Sequence, residues 1–159
     1  MKTTFWVAIA AVTLAVTLRG EAGSAQRGTS SNTPEFKNLS DLKWGKILPD
    51  LAESSPEICI LRVDPQTHAT SLLIRTPKAI HVRKHWHTAN ETHMLINGTA
   101  TFACDGKKVD VGPGGFNFMP AKMVHEAWIA ANSLTFINMS GAWDINWVEG
   151  PPTDADLIK

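Results

Sequence analysis

Neither sign of charge prevails in this chain: 15 Lys and Arg stand against 15 Asp and Glu, and the basic residues form no stripe or cluster. Nucleic acid and anionic membrane surfaces recruit proteins through concentrated positive charge, so both are poor candidates as partners. Cysteine is scarce, with only Cys59 and Cys104. An oxidising compartment would permit a bridge between them, but Cys59 lies within Ile58-Cys59-Ile60-Leu61 and reads as a small buried hydrophobe. Neither thiol has the paired base of a nucleophile.

No apolar run is long enough to span a bilayer. The longest covers residues 5–18, about 14 residues against the roughly 20 required. It follows Lys2 and precedes the small residues Ala22, Gly23, Ser24 and Ala25. That pattern predicts a signal peptide over 1–25, with cleavage after Ala25 or after Ala22. An uncleaved anchor is the rival reading. Both place the domain outside the cytoplasm, periplasmic or secreted, and cleavage leaves no membrane span. Four Asn-x-Ser/Thr sequons, at Asn38, Asn90, Asn97 and Asn138, read as incidental.

Sustained helical periodicity is missing after residue 52, and no internal repeat is evident. What remains is a chain of 159 residues, 43% hydrophobic, which suits one domain with a real core. Residues 26–40 are polar and read as a flexible linker, leaving 41–159 as the domain. Within 41–51, Trp44, Ile47, Leu48 and Leu51 are expected to pack against the outside of the domain, and Pro49 prevents a long helix. Short strand-like runs follow at 58–63, 69–75, 80–87, 92–96, 99–104, 107–111, 116–119, 124–129, 134–138 and 144–148. Asn97-Gly98 and Asp105-Gly106 both carry the hairpin signature, and Gly112-Pro113-Gly114-Gly115 breaks the chain again. Regularly spaced short strands predict an all-β protein, with a double-sheet jelly-roll barrel as the size match.

The chemistry concentrates in His85-Trp86-His87-Thr88-Ala89-Asn90-Glu91. Side chains alternate faces along a strand, so His85 and His87 share one face, and Glu91 can swing to the same point. Neutral imidazoles and a carboxylate are ligands for a divalent metal. A fourth ligand is available in His125, early on a later strand, and four protein ligands would leave one or two positions open on a five- or six-coordinate ion. Trp86 and Trp128 have the opposite parity and are expected outside the barrel. Glu126, on the face opposite His125, reads as a surface charge. His93 shares the parity of Glu91; it either supports the site or is an ordinary core or surface histidine, the latter being the plainer reading. His68 and His81 read as solvated.

His85-x-His87-x3-Glu91-x6-Gly98, followed by Gly114-x5-Pro120-x4-His125, resembles the two motifs of the cupin superfamily over roughly residues 57–140. More narrowly, the chain is similar to small cupin-domain proteins that share Phe118 to Ala121, His125 to Trp128, and the segment from Gly141 to Trp147. The resemblance implies a cupin barrel in which His85, His87, Glu91 and His125 hold one metal ion, with Fe, Mn, Ni, Cu or Zn all admissible. It further implies a small-molecule substrate or ligand and, by analogy, a homodimer paired through a sheet edge. Dioxygenation leads among reaction types, ahead of isomerase, lyase or hydrolytic chemistry; a non-catalytic metal or small-ligand binder is the alternative. No separate catalytic acid or base is identified. Three positions depart from the family pattern: Ala79 and Lys122 stand where glycine is usual, and Ile129 where asparagine is usual. If the Lys122 turn needs a positive φ, lysine there costs about 1 kcal/mol.

Overall fold

The computed structural model describes residues 34–159. The expected signal peptide and the first part of the linker lie outside the described residues. Eleven strands run in order: β1 (Gly45–Lys46), β2 (Glu57–Val63), β3 (Thr70–Thr76), β4 (Ile80–Trp86), β5 (Glu91–Asn97), β6 (Ala100–Cys104), β7 (Lys107–Val111), β8 (Phe116–Met119), β9 (His125–Ile129), β10 (Ser133–Met139) and β11 (Asn146–Trp147). They form two antiparallel sheets, a six-stranded β1-β2-β3-β10-β5-β8 and a five-stranded β11-β4-β9-β6-β7. The expected all-β architecture is present, and each expected run is a strand whose ends match or shift by at most two residues.

Alternation along these strands makes the core. Leu95 from the six-stranded sheet meets Ala100, Phe102 and Ala127 from the other, with Met119 beside them. Ile58, Leu72, Ile137 and Met139 form a second cluster. The segment before β2 departs from expectation. Leu48 and Leu51 are buried against Ile80 rather than lying outside, because Pro49 starts a short 3-10 turn (Pro49–Ser54) that folds them inward. Trp44 stays at the surface beneath the Arg75 guanidinium, 4.4 Å from its ring centroid.

The two hairpin-like dipeptides behave differently. Asp105 (φ 50°) and Gly106 (φ 72°) join the paired strands β6 and β7 through the Cys104–Lys107 pair, as a type I′ turn requires. Asn97-Gly98 does not close a hairpin: β5 pairs with β10 and β8, whereas β6 pairs with β7 and β9. It carries the chain from one sheet to the other. Glycine is needed there because φ is +85° and an added Cβ would lie 2.2 Å from Ser133 Oγ and 2.8 Å from Ser133 Cα.

His81 is a further correction. Its ring stacks on Trp128 at 4.6 Å, and its Nε2 lies 2.8 Å from Glu126 Oε2 on the outer face of the five-stranded sheet. The parity argument located these side chains on the outside but missed that a cross-strand pair would bring His81 onto Trp128. Lys108 Nζ also lies over Trp128, 3.8 Å from the ring centroid. His68 is exposed, as expected, and both cysteines are free, Cys59 being buried.

Candidate metal centre

The site is built by an irregularity in β4. Val82 pairs with Ala127 and His85 with His125, so three steps on β4 oppose two on β9. This register shift is a β-bulge, and it reverses parity within one strand. Ile80 and Val82 point into the barrel before it, His85 and His87 after it. Lys84 is exposed and Trp86 half-buried. His125 opens β9 directly opposite His85, with ring centroids 4.2 Å apart. Glu91 arrives from the opposing sheet as the first residue of β5, and His93 follows it inward.

His85, His87, Glu91 and His125 are all buried, Glu91 to 2% exposure. Ligand atoms of His85, His87 and His125 lie within 4.8 Å of one another, so these three could hold a metal ion. Glu91 stands outside that trio but beside it, with Oε2 3.2 Å from His87 Nε2 and 3.4 Å from His125 Nε2.

Each histidine is oriented by a backbone carbonyl. Nδ1–H of His85 donates to the Arg83 carbonyl at 2.7 Å, and that of His125 to the Met123 carbonyl at 3.0 Å. His87 donates to the Asp144 carbonyl. A carbonyl only accepts, so the proton sits on Nδ1 and the Nε2 lone pairs turn inward. His87 Nε2, His125 Nε2 and Glu91 Oε2 are buried with no hydrogen-bond partner. Three lone-pair-bearing atoms therefore converge with no donor between them. A purely hydrogen-bonded polar network would not leave them so, whereas a cation would satisfy all three. The residues present fit a metal.

The electrostatics follow from burial. Burial, reinforced by His125, pushes the His85 imidazolium pKa down to about 3. Burial opposes charge on His87 as well, but Glu91 and the Asp144 carbonyl outweigh it and raise the pKa. Burial alone would raise the Glu91 carboxyl; His93, whose Nε2 faces Oε1, instead holds it well below the ordinary carboxylate range.

His93 belongs to this arrangement and is not an ordinary core histidine. Its Nε2 lies 3.3 Å from Glu91 Oε1, and its Nδ1 lies 2.7 Å from Asn117 Oδ1. Asn117 Nδ2 is buried without a partner. Exchanging the amide oxygen and nitrogen satisfies the set: Nδ2–H donates to His93 Nδ1, and His93 Nε2–H donates to Glu91 Oε1. Oε2 is then the carboxylate oxygen left for a cation. Lys122 adopts φ +63°, and its N–H donates to the His87 carbonyl at 2.8 Å, so the turn that departs from the glycine pattern is anchored beside the site.

A cavity of about 80 Å³ adjoins these groups. Trp143, Ile145 and Trp147 line it from a segment whose intervening residues hold the segment down. The Asp144 carboxylate accepts from Thr88 N–H at 2.9 Å and from the Thr88 hydroxyl, and Asn146 Nδ2 donates to the Trp86 carbonyl at 3.3 Å. Sequence reasoning missed Asp144 and Asn117. Asn117 lies in no motif, and Asp144, though within the Gly141 to Trp147 segment, orients His87 through a backbone group that carries no residue signature.

The family model of the AraC-like ligand-binding domain matches residues 68–158, more than half of the chain. This chain belongs to that family. Solved cupin structures share its fold. An RmlC-like cupin from Shewanella frigidimarina superposes with a TM-score of 0.59 at 15% identity, covering 70% of this chain and 95% of its own. A candidate acetylacetone dioxygenase from Methylibium petroleiphilum gives 0.59 at 15% identity, covering 82% and 91%. The DMSP lyase DddQ from Ruegeria pomeroyi gives 0.58 at 17% identity, covering 70% and 64%. No curated protein matches. The AraC-like ligand-binding domain seen here thus has the cupin fold that its two motifs implied.

Proposed function

We propose that this AraC-like domain is an exported mononuclear-metal cupin acting as an enzyme on a small organic molecule, with dioxygenation the leading reaction. The observation that carries the metal reading is the convergence of three unpartnered buried atoms, His87 Nε2, His125 Nε2 and Glu91 Oε2, beside His85. His85, His87, Glu91 and His125 would hold the ion. When bound, a divalent metal on such a donor set supplies Lewis acidity or, if redox-active, oxygen chemistry. Backbone carbonyls fix the three imidazoles, His93 holds the second carboxylate oxygen, and Trp143, Ile145 and Trp147 give the cavity an apolar wall. Export rests on the residue pattern of 1–25. Exposed Met94, Phe116 and Phe118 along the β8 edge of the six-stranded sheet support a second copy of the chain as partner.

Metal analysis of the purified mature protein, followed by oxygen uptake with candidate substrates, tests this reading. Bound metal with substrate-dependent uptake is expected. A protein that takes up no metal even on reconstitution would refute it. A second reading, a non-catalytic small-ligand binder, is favoured by the ligand-binding description of the matching family. It predicts bound metal or ligand without turnover.

A further inference from the structure

The cavity beside the metal centre is more informative than its size suggests. Its lining includes no lysine, arginine, asparagine, glutamine or serine. Beyond the site's own histidines and Glu91, the only side-chain hydroxyls on its wall belong to Thr76 and Thr135. The rest is aliphatic and aromatic, with Ile74, Ile137 and Ile129 from the sheets and Trp143, Ile145 and Trp147 from the covering segment. A substrate with a second charged group, or a ring of hydroxyls, would lose its hydration here with only two threonine hydroxyls and two indole N–H groups to replace it and no second charge to pair with, a penalty that rejects such molecules. The volume bounds the body of the ligand. At about 80 Å³ the cavity has roughly half the 150 Å³ of a dry cavity that accepts benzene.

We infer that the ligand is a compact molecule with an apolar body of two to four carbons and one oxygen-bearing head directed at the metal centre. The inference rests on the metal reading above, because the cation supplies the only positive charge that could receive the head. Burying the body against Ile74, Ile137 and Ile145 supplies affinity, and the small volume of the cavity limits its length.

The test is a titration of cobalt(II)-loaded mature protein with formate, acetate, propionate, butyrate, hexanoate and succinate, followed through the cobalt visible absorption. Affinity should rise about fourfold per added methylene from acetate to propionate. It should level off by butyrate and fall for hexanoate, while succinate binds at least tenfold more weakly than propionate. Ile145→Ala should move the optimum to a longer acid. Succinate equal to propionate, no dependence on chain length, hexanoate the tightest ligand, or an optimum unmoved by Ile145→Ala would each overturn the inference while leaving the metal reading intact. Failure to bind cobalt at all would overturn both.

Discussion

Metal binding to the native site should be visible as stability. The metal-free protein buries three unpartnered polar atoms at one point, and each such atom costs on the order of 1–3 kcal/mol. A cation that pairs with all three binds the folded chain only. At free metal one hundred times the Kd, linkage stabilises the fold by about 2.7 kcal/mol. An unfolding entropy of about 2.1 cal/mol/K per residue over roughly 125 residues gives ~0.26 kcal/mol/K, and hence a Tm rise of about 10 °C. Scanning calorimetry of the chelator-treated protein, before and after titration with zinc, measures this directly. His87→Ala should remove most of the rise. His68→Asn should keep it in full: His68 is exposed on a turn at φ +59°, a conformation asparagine tolerates. Equal rises in the two variants, or no rise in the native protein, would refute the ligand assignment.

Four further outcomes are expected. Gly98→Ala should destabilise by about 2–4 kcal/mol in urea denaturation, combining left-handed strain with the collision against Ser133; a loss below 0.5 kcal/mol would contradict the close approach. Lys122→Gly should stabilise by about 0.5 kcal/mol, relief of strain at φ +63° less the added chain entropy of glycine. His93→Ala should weaken metal binding roughly 10–100-fold, with partial recovery in His93→Gln, which restores a donor to Glu91; calorimetric titration distinguishes the two. The Asp156 carboxyl is pushed up by burial but held lower overall by Arg83 and Thr153, so its folded pKa lies below its unfolded one. The stability it contributes is present above about pH 4 and lost as pH falls through the depressed value. Amide protection factors in residues 153–158, each rate taken relative to the intrinsic rate at that pH, should therefore fall on acidification, and Asp156→Asn should lower them at pH 7.

Much of this molecule was legible in its residues, and the failures have one cause. Strands announce themselves locally through alternation and turn chemistry, so β2 to β11 could be read with small errors at their ends. Which sheet a strand joins depends on contacts distant in sequence. Asn97-Gly98 and Asp105-Gly106 are chemically alike, yet the first carries the chain between sheets because β5 pairs with β10 and β8, while the second closes a hairpin. The histidines and Glu91 were identifiable because ligand chemistry is a side-chain property. Asp144 and Arg83 were not, since they act on the imidazoles through carbonyls that every residue possesses. His81 looked solvated because stacking on Trp128 requires the β4–β9 register.

The bulge in β4 has a consequence for anyone wishing to move this centre into another protein. It turns His85 inward and presents the Arg83 carbonyl that holds its ring. A graft copying His85, His87, Glu91 and His125 onto a regular strand could match every side-chain position and still lose that anchor. The transferable unit is four side chains together with one extra residue of backbone.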